Sequence, residues 1–156
     1  MKFEILAIGE LVPDFFSRKI QNYLGTNYSH IAVLIDGAIV YHSIERGVVR
    51  ELIQNALGPN DVIRHRFEFP IQPGREGFIM GWLEGSVGAK YAWSQYLGVF
   101  CPWIRFLVRN GKGQSFCSEY GATAVRDALG IYSPELEESD WITPKDIVEF
   151  CQRHRP

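Results

Sequence analysis

A thiol in the setting of a nucleophile lies in the second half of the chain. Cys117 follows a polar, glycine-rich stretch, residues 111–115, and directly precedes an amphipathic pattern, residues 118–129, that predicts a helix. The dipole and free N–H groups at a helix start stabilise a thiolate and lower the thiol pKa, and the same groups can hold an oxyanion. Cysteine is also often buried and inert. The polar stretch favours a position near the surface, although this cysteine taken alone is still more typical of an inert core thiol than of a nucleophile.

A nucleophilic cysteine needs a base, and the chain offers four histidines. His154 lies in the C-terminal tail, where we expect a solvated side chain. His65 lies between two arginines in a predicted strand, where we expect an exposed side chain. His30 and His42 differ from these because they stand at the start of one predicted strand and at the end of its hairpin partner.

The relative position of His30 and His42 depends on the hairpin between them. Asp36-Gly37 predicts a two-residue turn, which places the two histidines adjacent in register and on opposite faces of an ideal sheet. A bulge or a longer loop would place them on the same face. Glu45, three residues after His42, is a rival for the position of a third, orienting residue.

The cysteines bear on metal and redox chemistry. Cys101, Cys117 and Cys151 are an odd number without a CxxC pair, which argues against a disulfide framework and against a structural zinc cluster. Their number favours a reducing, cytoplasmic compartment. Zinc held by Cys117, His30 and His42 is a weaker alternative, because no ligand-rich pattern accompanies them. The sequence calls for no cofactor.

These residues must be positioned by a fold that combines strands and helices. Patterns predict strands at residues 3–8, 30–35, 38–44, 48–53 and 62–69, helices at 13–24, 74–85, 118–129 and 144–153, and shorter helical stretches at 91–99 and 103–108. Thr143, Pro144 and Asp146 form a helix start signal. Strands followed by helices predict an α+β fold, with a small antiparallel sheet packed against helices in one domain, residues 1–156.

Composition excludes several classes of partner. A formal net charge of −2 with scattered basic residues does not favour nucleic acid. No apolar run approaches the roughly 20 residues of a membrane span. The longest candidate, residues 96–108, is interrupted by Pro102 and Arg105. The N-terminal residues do not form a signal peptide, which also favours the cytoplasm.

Three segments, and a fourth more weakly, resemble the NlpC/P60 superfamily of papain-like cysteine peptidases. YSHIAVLIDGAIVYHS, residues 28–43, is similar to its histidine motif, in which a strand beginning Ser-His or Thr-His turns through a glycine-containing hairpin to a polar residue. SFCSEYGATAVRDALG, residues 115–130, is similar to its cysteine motif, in which Cys-Ser-Glu opens a helix. WITPKDIVEF, residues 141–150, is similar to its TP-x-D-L segment, and GAKYAWSQYLGV, residues 88–99, is a weaker match.

The order of the motifs resembles one branch of that superfamily. Ordinary members carry the cysteine before the histidine, whereas here His30 precedes Cys117. This is the order of the circularly permuted branch, which contains YiiX/YebB-like hydrolases and lecithin retinol acyltransferase-like enzymes. The acyltransferase group usually has Asn-Cys-Glu-His at its nucleophile. Phe-Cys-Ser-Glu-Tyr at residues 116–120 departs from that string, so the YiiX/YebB-like group fits better.

The resemblance implies a circularly permuted papain-like fold and the roles of three residues. Cys117 matches the nucleophile, His30 the general base and His42 the orienting residue, and the hairpin then needs a bulge or an altered turn. Tyr91 matches an aromatic that lines the site in related enzymes and could donate to an oxyanion, for which Gln114 is an alternative. The implied activity is a cysteine hydrolase, a peptidase or amidase, that cleaves a peptide or peptidoglycan-like amide through a thioester.

Other interpretations of the same residues stay open. A thiol acyltransferase or thioesterase would use the same acyl-enzyme on lipid or acyl substrates, and a papain-like module could bind without catalysis. Glu119 falls in a first helical turn, where we expect it to stabilise the helix. Arg109 and Lys112 could meet a substrate carboxylate, although solvated loop charges are the more common case. The expected partner is a small peptide, amide or acyl substrate, and the oligomeric state is left open.

Overall fold

A five-stranded antiparallel sheet is the centre of the fold in the computed structural model, which describes residues 1–92, 114–137 and 142–154. Its strands are β1 (Phe3–Glu10), β2 (His30–Ile35), β3 (Ile39–Ile44), β4 (Gly47–Leu52) and β5 (Asp61–Phe69), in the spatial order β4-β3-β2-β1-β5. Every neighbouring pair is antiparallel. The prediction of an α+β fold with a small antiparallel sheet is therefore confirmed.

Helices and a second, very small sheet complete the described part of the chain. The helices are α1 (Phe15–Leu24), α2 (Ile53–Ala56), α3 (Glu76–Ser86), α4 (Cys117–Thr123), α5 (Pro134–Glu137) and α6 (Pro144–Arg153). A π-helical segment, Ala124–Ala128, continues α4. The parallel strands β6 (Lys90–Tyr91) and β7 (Gln114–Ser115) pair with each other.

The helix ends follow the signals that the sequence carries. In α6, Thr143 accepts a hydrogen bond from the Asp146 N–H, and the Asp146 carboxylate accepts one from the Thr143 N–H, so the predicted start is confirmed. Gly25 and Gly130 adopt left-handed φ angles of 64° and 71°, as expected of residues that end helices.

Some boundaries differ from the predictions for local reasons. α1 begins two residues after Pro13, because the Asp14 side chain accepts a 2.7 Å hydrogen bond from the Ser17 N–H and caps the helix. The predicted strand over residues 48–53 ends at Leu52, and the chain continues in α2, which the sequence did not predict. Tyr91, predicted in a helix, lies in β6 instead.

Several predictions fall on residues that the structure does not describe. These are the helical stretch at 93–99, the stretch at 103–108, Cys101, Arg109 and Lys112. The membrane prediction concerns the same region in part. Within residues 1–92, 114–137 and 142–154, no helix combines the length and the apolar character that a bilayer crossing requires.

The two faces of the sheet differ in character. One face carries Ile5, Ile31 and Val33 in a large apolar cluster that also contains side chains of α3, α4, α6 and the π-helical segment. The other face carries a smaller apolar cluster, Leu6, Ile8, Ala32, Leu34 and Val40, against which residues of α2 and its flanks pack. By alternation along the strands, His30 and His42 belong to this second face.

One apolar face of α1 is only partly covered. Ile20 is buried, but Phe16 and Tyr23, which share that face by helical spacing, are each more than half exposed. The helix therefore packs through one turn of its apolar side. Phe16 contributes instead to the wall of a cavity at the end of the main sheet.

Candidate functional site

The hairpin that carries the two histidines has a three-residue connection. Ile35 pairs with Ile39, which leaves residues 36–38 between the strands, and Asp36 and Gly37 adopt φ angles of 50° and 68°. The expectation of a two-residue turn with the histidines on opposite faces is therefore wrong. The longer loop, which the sequence left open as an alternative, shifts the register by one residue and brings both side chains to the same face.

His30 and His42 are in direct contact. His30 Nε2 lies 3.0 Å from His42 Nδ1, and the rings meet edge to face with their centroids 5.2 Å apart. His42 is buried, whereas His30, at the first position of β2, is only half-buried. The contact occupies Nε2 of His30 and Nδ1 of His42. Nδ1 of His30 and Nε2 of His42 therefore remain available for other partners.

Cys117 is positioned by the close approach of α4 to β2. A Cβ atom added to Gly121 would lie 2.6 Å from Ile31 Cγ2, so only glycine permits this helix to pack so closely on the strand. The Cys117 thiol then lies beside the first residues of β2 and makes a long contact, 4.0 Å, with the carbonyl oxygen of Ser29. The helix layer thus delivers the sulfur to the end of the strand at which His30 begins.

The start of α4 is stabilised as expected from Glu119. Its carboxylate accepts a 3.3 Å hydrogen bond from the Phe116 N–H, the residue that precedes the helix. Glu119 thus contributes to holding the first turn, and Cys117 is the first residue of that turn.

Burial dominates the acidity of the thiol. Cys117 is 2% exposed, which contradicts the expectation of a position near the surface. Burial raises the pKa of the Cys117 thiol to about 11, although backbone N–H groups of Ile31, Ser118 and Cys117 itself act in the opposite direction. The N–H groups at the helix start thus act to lower this pKa, as expected, but desolvation of the thiolate outweighs them and the net shift is upward.

Burial also keeps both imidazoles neutral. It lowers the pKa of His30 to about 3, and a positive charge on His42 would lower it further. The pKa of His42 is lowered by burial and by Arg46, while Glu51 and Asp61 act to raise it. At neutral pH the site therefore contains a neutral thiol and two neutral imidazoles.

A cavity of about 310 Å³ brings the three side chains to one space. Its walls come from β1, α1, β2, β3 and the segment before α4, and they include Ile8, Phe16, Ile20, Ser29, His30, His42, Tyr91, Phe116 and Cys117. The cavity lies at the end of the sheet. There it is reached both by the thiol, from the helix layer, and by the histidines, from the opposite face of the sheet.

The cavity wall is acidic. Glu10, Asp14, Glu45 and Asp61 line it, and no lysine or arginine of the described residues does. Glu10 is held in place, since its carboxylate accepts 2.8 Å hydrogen bonds from the Asp14 N–H and from the Ser17 hydroxyl. The electrostatic character of the described wall favours a positively charged group over an anion.

The other candidate residues are placed as follows. Tyr91 lines the cavity and packs its ring near that of Phe116, with the centroids 5.7 Å apart. Gln114 lies in β7, opposite Lys90 of β6, and its side chain is outside the described part of the structure. Glu45 lies in the exposed turn between β3 and β4, and it lines the cavity. It is His42 that contacts His30.

The two remaining histidines do not line the cavity. His65 was expected to be exposed, but it is half-buried, because its ring packs edge-on to Tyr28 and stacks on Phe67 with centroids 5.3 and 5.9 Å away. His154 is exposed, as expected, and lies 3.0 Å through Nδ1 from the Phe150 carbonyl oxygen.

Sequence reasoning missed one charged neighbour of the pair. Glu51 Oε1 lies 4.0 Å from His42 Nε2. The signal was present in the second hairpin, because a tight turn at Glu45-Arg46 pairs His42 with Val49 and so makes Glu51 its diagonal neighbour on the same face.

Comparisons with known proteins were made for the whole chain, and possible metal ligands were considered among the residues that the structure describes. No protein-family model, curated protein or solved structure matches the chain. Within the described residues, no group of three or more histidine, cysteine or acidic side chains is placed to hold a metal ion.

Proposed function

We propose that the protein is a cysteine hydrolase in which Cys117 is the nucleophile, His30 the general base and His42 the residue that orients His30. The observation that carries this proposal is the 3.0 Å contact between His30 and His42, at a cavity that Cys117 also lines. A thiol, a base and a group that orients the base are the three groups that acyl transfer uses, and all three line this cavity. The permuted papain-like fold is part of the same proposal.

The neutral charge state determines the first step of the mechanism. With a thiol pKa of about 11 and a His30 pKa of about 3, a preformed thiolate–imidazolium pair is disfavoured in the free protein. His30 therefore removes the thiol proton as the sulfur attacks the substrate carbonyl. Because Nε2 of His30 is engaged by His42, the accepting atom is Nδ1.

The remaining steps return that proton. The tetrahedral intermediate collapses to a thioester on Cys117 Sγ, and His30 Nδ1 gives its proton to the departing amine. Water then attacks the thioester while His30 takes one of its protons, and the protonated His30 restores the thiol as the acid leaves. Every proton is transferred through one ring nitrogen, so the reaction needs no cofactor.

The acidic wall favours amide substrates with a free amine near the scissile bond. A peptide or peptidoglycan-like substrate carries such groups, and they would lie against Glu10, Asp14, Glu45 and Asp61. An anionic lipid headgroup would be repelled by the same carboxylates. The charge of the cavity thus supports the peptidase or amidase over the acyltransferase that uses the same intermediate, and we place the enzyme in the cytoplasm as part of the proposal.

A small activated ester tests the nucleophile without knowledge of the substrate. We expect p-nitrophenyl acetate to place one acetyl group on Cys117 of the wild-type protein, located by mass spectrometry of peptides and timed by nitrophenolate release. Cys117→Ala should abolish this acetylation. Cys151→Ala is the matched control, because Cys151 is equally buried and is likewise not in a disulfide, and this variant should still be acetylated on Cys117.

The same experiment separates the proposal from a binding module without catalysis. Acetylation of Cys117 no faster than that of the urea-unfolded chain would contradict the proposal. So would equal acetylation of Cys117 and Cys151. Transfer of the acetyl group from Cys117 to an added amine or alcohol, instead of water, would favour the acyltransferase.

A further inference from the structure

The second histidine has a nitrogen that lacks a partner. His42 Nε2 is buried and makes no hydrogen bond with the described residues, although Nδ1 of the same ring contacts His30. A buried polar atom without a partner is costly, so the arrangement implies a further group that can meet this nitrogen.

Glu51 is the acidic side chain closest to that nitrogen among the contacts of His42. Its Oε1 lies 4.0 Å from His42 Nε2, and the two side chains are 19% and 6% exposed. A shift of about 1 Å would bring the oxygen to hydrogen-bond distance. Since Glu51 is the diagonal neighbour of His42 on one face of the β3–β4 hairpin, such a shift needs a side-chain rotation and no backbone change.

The identity of this partner decides the direction of the His30–His42 hydrogen bond. If His42 carries its proton on Nε2, its Nδ1 must accept, and His30 must donate from Nε2. His30 Nδ1 then has a free lone pair and can take the thiol proton. If His42 instead carries its proton on Nδ1, His30 accepts at Nε2 and holds its own proton on Nδ1, where it can no longer act as a base.

We propose that Glu51 is a positioning residue that accepts a hydrogen bond from His42 Nε2–H and thereby holds both histidines in the tautomers that leave His30 Nδ1 free. The inference rests on the proposed function, because it gives His30 the role of base. The carboxylate also stabilises, through His42, the positive charge that His30 acquires when it takes the thiol proton.

The charges around the pair set how strongly Glu51 can act. Arg46 Nη2 donates a 2.6 Å hydrogen bond to the same Glu51 oxygen, and the Arg46 side chain is 70% exposed. Asp61 also acts to raise the pKa of His42, and a positive charge on His42 acts to lower the pKa of His30. Arg46 thus holds the Glu51 carboxylate from the solvent side.

The test measures the tautomers directly. In protein labelled with ¹⁵N-histidine, long-range ¹H–¹⁵N correlation spectra distinguish Nδ1–H from Nε2–H. We expect Nε2–H on both His30 and His42 in the wild-type protein at about pH 7.5, where both imidazoles are neutral. Glu51→Leu should move His42 toward Nδ1–H. It should also lower the rate of Cys117 acetylation by p-nitrophenyl acetate by about 10- to 100-fold, the usual size for a group that orients a working histidine.

Two further variants make the result specific. Glu51→Gln keeps an oxygen that can accept from Nε2–H but removes the charge, so it should preserve the tautomers and lose part of the acetylation rate. Glu68→Gln is the control, because Glu68 lies in β5 and pairs with Lys2 at 2.8 Å, away from His42. It should leave both the tautomers and the rate unchanged.

The outcomes separate this inference from the proposed function. A wild-type His42 with Nδ1–H, or unchanged tautomers in folded Glu51→Leu, would overturn the role of Glu51 while leaving acetylation of Cys117 as it was. Absence of wild-type acetylation would overturn the catalytic proposal instead. Circular dichroism identifies unfolded variants, and if Glu51→Leu does not fold, Glu51→Gln with altered tautomers would equally contradict the inference.

Discussion

Two buried thiols of this protein differ in their neighbours rather than in their burial. Cys151, in α6, is 1% exposed and belongs to the large apolar cluster between the sheet and the helices. Cys117 is 2% exposed, but it lies in a small separate cluster with Ala92 and Phe116. It also lines the cavity that His30 and His42 share.

The comparison shows what distinguishes an inert thiol from a candidate nucleophile. Burial raises the pKa of the Cys117 thiol, so the proposed reactivity does not come from a permanently ionised sulfur. A base within the same cavity can supply the reactivity at the moment of attack. Cys151 provides the internal reference, because it shares the burial and does not line the cavity.

Removal of the base should produce the largest effect. We expect His30→Gln to lower the rate of Cys117 acetylation by about 10²- to 10⁴-fold, which is the usual contribution of a general base. Glutamine fills similar space but cannot take the thiol proton. The rate is measured by nitrophenolate release and by the mass of the labelled peptide.

His65→Gln is the control for that measurement. His65 is a half-buried histidine of β5 that packs on Tyr28 and Phe67 and does not line the cavity. In the His65→Gln variant, Cys117 should be acetylated at the wild-type rate. Equal rates for His30→Gln and His65→Gln would remove the distinction between the two thiols that the comparison draws.

The contact between helix and strand that positions Cys117 gives a second, smaller effect. Gly121→Ala adds a Cβ that would lie 2.6 Å from Ile31 Cγ2, so α4 must move away from β2. We expect a loss of about 1–3 kcal/mol in the free energy of unfolding by urea, together with slower acetylation of Cys117.

Gly77→Ala provides the matched control for this displacement. Gly77 lies in α3, and an added Cβ would meet nothing within 4 Å. It should be neutral or slightly stabilising, because alanine favours a helix. Wild-type stability and acetylation in Gly121→Ala would mean that the close approach of α4 to β2 does not position the thiol.

The sequence predicted the elements of the site better than their relation to one another. Periodicity and cap signals located β2, β3, the helix after Cys117 and the start of α6, because these depend on residues close in sequence. The turn was counted one residue too short, because Ala38 has a side chain that fits a strand. A single residue of loop length then decides whether His30 and His42 share a face.

Burial was the second property that local patterns could not supply. The polar stretch before Cys117 indicated exposure, yet Cys117 is buried by contacts with β2, which are distant in sequence. The effect on the pKa of the thiol followed the tertiary contacts and not the helix start. The position of Glu51 beside His42 could have been anticipated only by working through the register of the β3–β4 hairpin.

The smallest expected effect concerns how the free energy of unfolding depends on pH, and it follows from the neutral state of the histidines. The pKa of His30 is lowered from 6.5 to about 3, so below pH 6.5 the unfolded chain binds a proton that the folded protein does not, and stability falls as the pH falls. From about pH 7.5 to pH 5, His30→Gln should lose about 1–2 kcal/mol less unfolding free energy than the wild type. Cys151→Ala lowers stability but should keep the wild-type pH dependence, because it leaves the histidines in place. Urea midpoints at both pH values measure the difference, and parallel losses in wild type and His30→Gln would show that His30 is not held neutral by the fold.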